Sequence, residues 1–200
     1  MNIQVSSNEI LLTFLEDRRR AYDFLRDAYK AWKSLENDHP MFQIASILVA
    51  VSISLMDLHE ATINALLTVD SNSDNELDFV SKTASRMLAL RVFEQEKALH
   101  RFRKSIEKMV MNDRVSVDYS KFDHICKINR NHLAYARNLR TIRNEIGHYN
   151  DNHAYIIDLV EQIDPVKLVE SSGAIIRCYT ALSDVIGQVQ NIKLTSIKIS

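Results

Sequence analysis

Apolar residues recur along most of this chain at steps of three and four, the spacing that lines one face of an α-helix. Leu11, Leu15, Arg18, Tyr22, Leu25, Tyr29 and Trp32 form the first such line, mostly apolar, and predict a helix from about Ser7 to Leu35. The run Asp17 to Arg20 (DRRR) falls mostly on the polar side and reads as a solvated face. Pro40 disfavours helix at His39 and suits the opening of a second helix, expected from about Pro40 to Val69. Within it, Met41 to Met56 is nearly all apolar over sixteen residues, with Gln43 and three serines inside it and Asp57, His59 and Glu60 just after. A membrane span needs about 20 apolar residues. A nearly all-round buried helix of a soluble bundle is therefore expected, with no membrane contact.

DSNSDNE (Asp70 to Glu76) is dense in cap and turn residues and breaks the pattern. A third helix follows from about Glu76 to Met111, on a looser line of Leu77, Val80, Ala84, Met87, Leu88, Arg91, Ala98, Phe102, Ile106 and Met109. Asn112 to Asp118 reads as a loop, with Asp118 or Ser120 placed to cap the next helix. That fourth helix carries Phe122, Ile125, Ile128, His132, Leu139, Ile142 and Ile146 and should stop near Gly147. A short helix is expected at about Ala154 to Gln162, then a last one from Pro165 to about Asn191, before a β-leaning or frayed tail, KLTSIKIS. The fold class is all-α: an up-and-down bundle of about four long helices plus a C-terminal helix, in a single domain over residues 1–200.

Composition supports this reading. Three glycines and two prolines in 200 residues are too few for the many turns of a β-protein. A formal net charge of -1 gives no global footprint for nucleic acid, so such a site must be local. Cys126 and Cys178 are far apart in sequence, in apolar contexts and without metal-ligand spacing, and read as buried thiols in a reducing compartment. The opening MNIQVSSNEI lacks a basic segment followed by an apolar core, so a cytoplasmic location is expected. The chain shows no Gly-x-Ser-x-Gly, Gly-rich phosphate loop or His-Glu-x-x-His, and no metal or other cofactor is expected.

Two places carry candidate chemistry. Asp57 and Glu60 share a face of the most apolar helix, where carboxylates sit at a wet edge or support a site. The fourth helix carries Lys121, Lys127, Arg130, Arg137, Arg140 and Arg143 against one acid, Asp123, with His124, His132 and Tyr135 interleaved. That local excess suits a polyanion such as RNA, and Lys127, Arg130, Arg137 and Arg140 are candidate RNA-binding residues; a solvated basic helix paired with acidic neighbours is the plain alternative. On a wheel of about 100° per residue, with Leu139 at zero, Arg143 falls near +40° and borders the apolar line, whereas Arg137 points away from it. In an unbroken helix His148 would point about 140° from Arg143. Gly147 can end the helix and let His148 turn back toward it.

RNEIGH (Arg143 to His148) resembles the R-x4-6-H signature of the HEPN superfamily, with the polar Asn144 directly after the Arg. The motif's place late in a helical bundle, at the end of a long helix, is similar too; the resemblance spans about residues 5–150. It implies a homodimer that brings two Arg/His pairs into one cleft, and metal-independent endoribonuclease activity in catalytic members. Many members are toxins or antiviral defence effectors, and an antitoxin or another protein partner then follows. On that reading a 2′-hydroxyl of RNA attacks the adjacent phosphate. His148, with a reference pKa of about 6.5, moves the proton. Arg143 holds the phosphate oxygens as charge builds, and Asn144 orients the His or an oxygen. One branch of the family has Tyr two residues after the His; here Tyr149 follows at once and Asn150 holds that position. Asp57 or Glu60 is a supporting acid, as some members place one on an earlier helix. The alternative is a non-catalytic HEPN-like module binding RNA, a nucleotide or a protein, with Arg143 paired to Asp57 or Glu60 as an interface device.

Overall fold

The computed structural model describes residues 7–37, 39, 41–69, 75–113, 116–140, 144 and 161–199. Among them are six α-helices and no strand: α1 (Ser7–Lys33), α2 (Phe42–Val69), α3 (Asn75–Asp113), α4 (Ser120–Ile128), α5 (Arg130–Asn138) and α6 (Pro165–Ile199). The all-α class and the first three helices stand as the pattern predicts, with ends shifted by one or two residues. Pro40, Gly147 and most of the short helix expected at 154–162 lie outside the described residues.

Helix α6 is the spine of the molecule and packs on α2, α3, α4 and α5. Leu168, Ile175, Cys178, Tyr179, Leu182, Val185, Ile186 and Val189 on it are all fully buried. Each buried Leu, Ile or Val contributes about 1.5–3 kcal/mol relative to exposure. The sequence treats this helix as an addition to a core over about residues 5–150; in the structure that core closes only with α6. Its start is well specified. Asp164 Oδ1 accepts from the backbone N–H of Val166 and of Lys167, both at 3.1 Å, and Pro165 sits at the first helical position, where its missing N–H costs nothing. Its end departs from expectation: the tail is helical to Ile199 rather than extended. The long preceding helix removes the cost of nucleation, so weak local propensity does not stop it.

Among the described helices, α1 packs on α2 alone. Its buried positions are Ala21 and Ala28, with Phe14 half-buried a turn pair earlier, while Tyr22 is 56% exposed and Tyr29 is also exposed. The predicted line through Tyr22 and Tyr29 is therefore displaced by one position, because small residues let two helices approach closely and push rings to the flanks. Similarly, Met87 and Arg91 of the α3 line face outward. The buried row there is Leu88, Val92, Leu99 and Ile106, with Gln95 and Glu96 inside it.

Helix α2 corrects the expectation of all-round burial. Val51, Leu55, Leu58 and Ile63 are buried against its neighbours α1, α3 and α6. Ile53, at 48% exposed, and Leu67 look outward, because no described helix covers that side. The stretch Phe42–Thr68 is long and apolar enough to cross a membrane by length and composition, a test that core helices also pass.

Candidate functional site

The fourth predicted helix is two helices. Asn129 stands between α4 and α5 with φ -96° and ψ 12°, off the helical values. Its side chain explains the break. Asn129 Nδ2 donates to the Ile125 carbonyl at 2.8 Å, competing with the backbone for that acceptor, and Asn129 Oδ1 accepts from Arg177 Nη2 of α6 at 2.7 Å. The buried line then reads Phe122, Asn129, Leu133, Ala136 and Leu139, with Cys126 half-buried, and Ile128 is left 62% exposed. Upstream, Asp118 Oδ1 accepts from the Ser120 N–H at 2.8 Å, which holds the Asp118 carboxyl below the usual carboxylate range. Of the two predicted caps, Asp118 does the work through an Asx-type turn, although the residue at the cap position is Tyr119.

The predicted site residues fall into three groups. Arg143, His148 and Tyr149 lie outside the described residues, as do Ile142 and Ile146. Asn144 is helical and half-buried, and it has an interaction partner. Lys127 and Arg130 are exposed on α4 and α5, and Arg140 at a helical position just after α5, with no carboxylate in salt-bridge range among the described residues. The acids on α2 are already paired: Asp57 Oδ2 lies 3.7 Å from Arg91 Nη1, and Glu60 Oε1 3.2 Å from Arg18 Nη1. The nearby His132 faces Glu170 at 3.8 Å.

Arg137 does not stand with the free cations. Its Nε forms a salt bridge with Glu96 Oε1 of α3 at 2.7 Å. Glu96 is a carboxylate with 4% of its side chain exposed, and the same oxygen lies 3.0 Å from His100 Nε2. The long Arg137 side chain thus reaches back from a solvent-side position to compensate a buried charge. Beside this lies a second seam. Arg103 of α3 donates to Glu107 and to Asp123 of α4, both at 2.7 Å, and its guanidinium sits 5.7 Å from the Tyr119 ring and 5.3 Å from the Phe122 ring. Between the seams, Cys126 and Cys178 meet with their sulfurs 3.5 Å apart, although 52 residues separate them in sequence.

The sequence reading missed Glu96, His100 and the cysteine pair. Glu96 carries a visible signal: it stands four after Val92 and three before Leu99, on the buried row, with His100 one turn further on the same face. The cysteines carry none, because only the packing of α4 on α6 brings them together. Among the described residues no three His, Cys, Asp or Glu side chains gather closely enough to hold a metal ion. Comparison with protein-family models, curated proteins and solved structures returns no match.

Proposed function

We propose that this chain is a metal-independent endoribonuclease of HEPN type, acting as a homodimer in the cytoplasm as a toxin or antiviral defence effector. The observation that supports this reading is the exposed cation set Lys127, Arg130 and Arg140, without a carboxylate in salt-bridge range among the described residues, which precedes Arg143-Asn144-x3-His148 in the sequence of a chain whose described elements are all helical. The cations hold the RNA backbone by charge. Arg143 binds the phosphate undergoing attack, and His148 takes the 2′-hydroxyl proton and returns a proton to the leaving oxygen. Products carry a cyclic phosphate or a 3′-phosphate. Arg137 is left out of the RNA-contacting set, because Glu96 holds it.

The test is cleavage of RNA in EDTA by wild type, Arg143→Ala and His148→Ala, with folding checked by circular dichroism. Cleavage by wild type and a loss of about 10²-fold or more in each folded variant is expected. Absence of wild-type cleavage, or equal cleavage by folded variants, overturns the proposal. A second reading, a non-catalytic module that binds RNA, rests on the same exposed cations. Asp57 and Glu60 lie in salt-bridge range of Arg91 and Arg18, which engages the acids expected both as supporting groups for catalysis and as partners of Arg143 in an interface device. Binding without cleavage, weakened by Lys127→Ala, Arg130→Ala and Arg140→Ala, selects that reading.

A further inference from the structure

We propose that Cys126 and Cys178 form a modification site: a dithiol that hydroperoxides convert into an intramolecular disulfide joining α4 to α6. The two sulfurs lie 3.5 Å apart across the packed helices. A disulfide needs about 2.05 Å, so side-chain rotation with a small helix adjustment closes the gap. The two thiols are not equivalent. Cys126 is half-buried and within reach of a small oxidant, whereas Cys178 has no exposed surface. The contact with Cys178 holds the Cys126 thiol below the ordinary range against the effect of its burial, with the Arg103 guanidinium and His100 adding to the lowering and Asp123 opposing it. The contact with Cys126 and burial both push the Cys178 thiol up, so it keeps its proton. This is the pairing of an attacking and a resolving thiol.

The chemistry balances without a cofactor. The Cys126 thiolate attacks one peroxide oxygen, the O–O bond breaks, and the departing oxygen takes a proton to leave as alcohol, or as water from hydrogen peroxide. Cys126 is then a sulfenic acid. Cys178 sulfur attacks Cys126 sulfur, the S–O bond breaks, and the hydroxyl leaves as water with the proton of Cys178. Two thiols lose two electrons in all, and the peroxide gains them. The new link encloses residues 127–177, a loop that contains α5 and RNEIGH. It fixes the element that leads into that motif against the spine of the bundle. The site stands on the sulfur geometry and does not depend on the ribonuclease reading.

The test treats the full chain with hydrogen peroxide in small molar excess and maps peptides without reduction. A cross-linked peptide containing Cys126 and Cys178 is expected, with loss of the mass of two hydrogens and of both titratable thiols. Dithiothreitol should reverse it, and the oxidised chain should melt roughly 5–10 °C higher. Cys178→Ser should stop at the sulfenic acid on Cys126, trapped by dimedone, and Cys126→Ser should leave Cys178 unreactive. Two thiols that stay alkylatable, oxidation of Cys126 to sulfinic acid without a link, or a disulfide between chains would each overturn the proposal. The wild-type peptide map decides the matter alone if either variant fails to fold.

Discussion

His59 shows at the scale of one residue how this bundle manages buried polarity. It is 2% exposed, packs edge-on against Phe14 with ring centroids 5.9 Å apart, and its Nδ1 finds no hydrogen-bond partner among the described residues. Burial holds its pKa below the usual histidine value, with Arg18 adding to the effect and Asp17 and Glu60 opposing it. The folded state therefore keeps the ring neutral, while the unfolded chain binds a proton near its ordinary pKa of 6.5. Stability from this group is fully present above that value and falls as pH drops from about 6.5 toward the lowered folded pKa. His59→Phe keeps the ring contact and removes the titration. It should leave neutral-pH stability unchanged or raise it by up to about 1 kcal/mol, and flatten the dependence of the urea midpoint between about pH 6.5 and pH 5. An unchanged slope in the variant would show that protons enter elsewhere. Glu96 follows the opposite course: it stays buried because Arg137 and His100 come to it.

Among the elements, the start of α6 and the break at Asn129 separate what local sequence specifies from what it does not. Asp164-Pro165 states a helix start in two residues, and the structure keeps it. The hydrogen bonds from Lys167, above all, and from Val166 hold the Asp164 carboxyl below its usual range. Asp164→Ala should cost about 1 kcal/mol at neutral pH, read from the urea midpoint, and Asp164→Ser should recover most of it. The aspartate's contribution is present above the ordinary carboxylate pKa and is lost as pH falls through the lowered folded value. Equal stability of the Ala variant and wild type would mean that water serves those N–H groups as well. The break at Asn129 was not legible, because its cause is partly distant: Arg177, 48 residues on, holds the amide oxygen. For the same reason a steady count of three and four places Ile128 on the buried line, where the structure exposes it. The basic character of α4 and α5 was legible by counting. The capture of Arg137 was not, since Glu96 lies on another helix.

Over the whole molecule the helices are unequally supported, and this sets the order in which the fold opens. Periodicity gave the first three long helices to within one or two residues, but it carries no information on how many neighbours each one has. Helix α1 looks from its length and pattern like an equal member of the bundle. Among the described helices it rests only on α2, through two alanines and half-buried flanks, with Tyr22 and Tyr29 in solvent. Helix α6 reads as an appended C-terminal element, yet it touches four helices, and Tyr179 anchors its middle to Gln95 of α3 with 3.0 Å contacts. Elements with few buried apolar contacts open at free energies below that of global unfolding, and those at the core open only with the whole. Native-state hydrogen exchange should therefore show the amides of α1 exchanging through a partial opening, at least about 2 kcal/mol below the global value. The amides of α6 from Leu168 to Val189 should exchange only through global unfolding and follow its dependence on denaturant. Equal protection of α1 and α6 would mean that α1 is held by contacts beyond α2. A second copy of the chain laid on the outer side of α1 and α2 is one source of such contacts, and a loss of the extra protection on dilution would identify it.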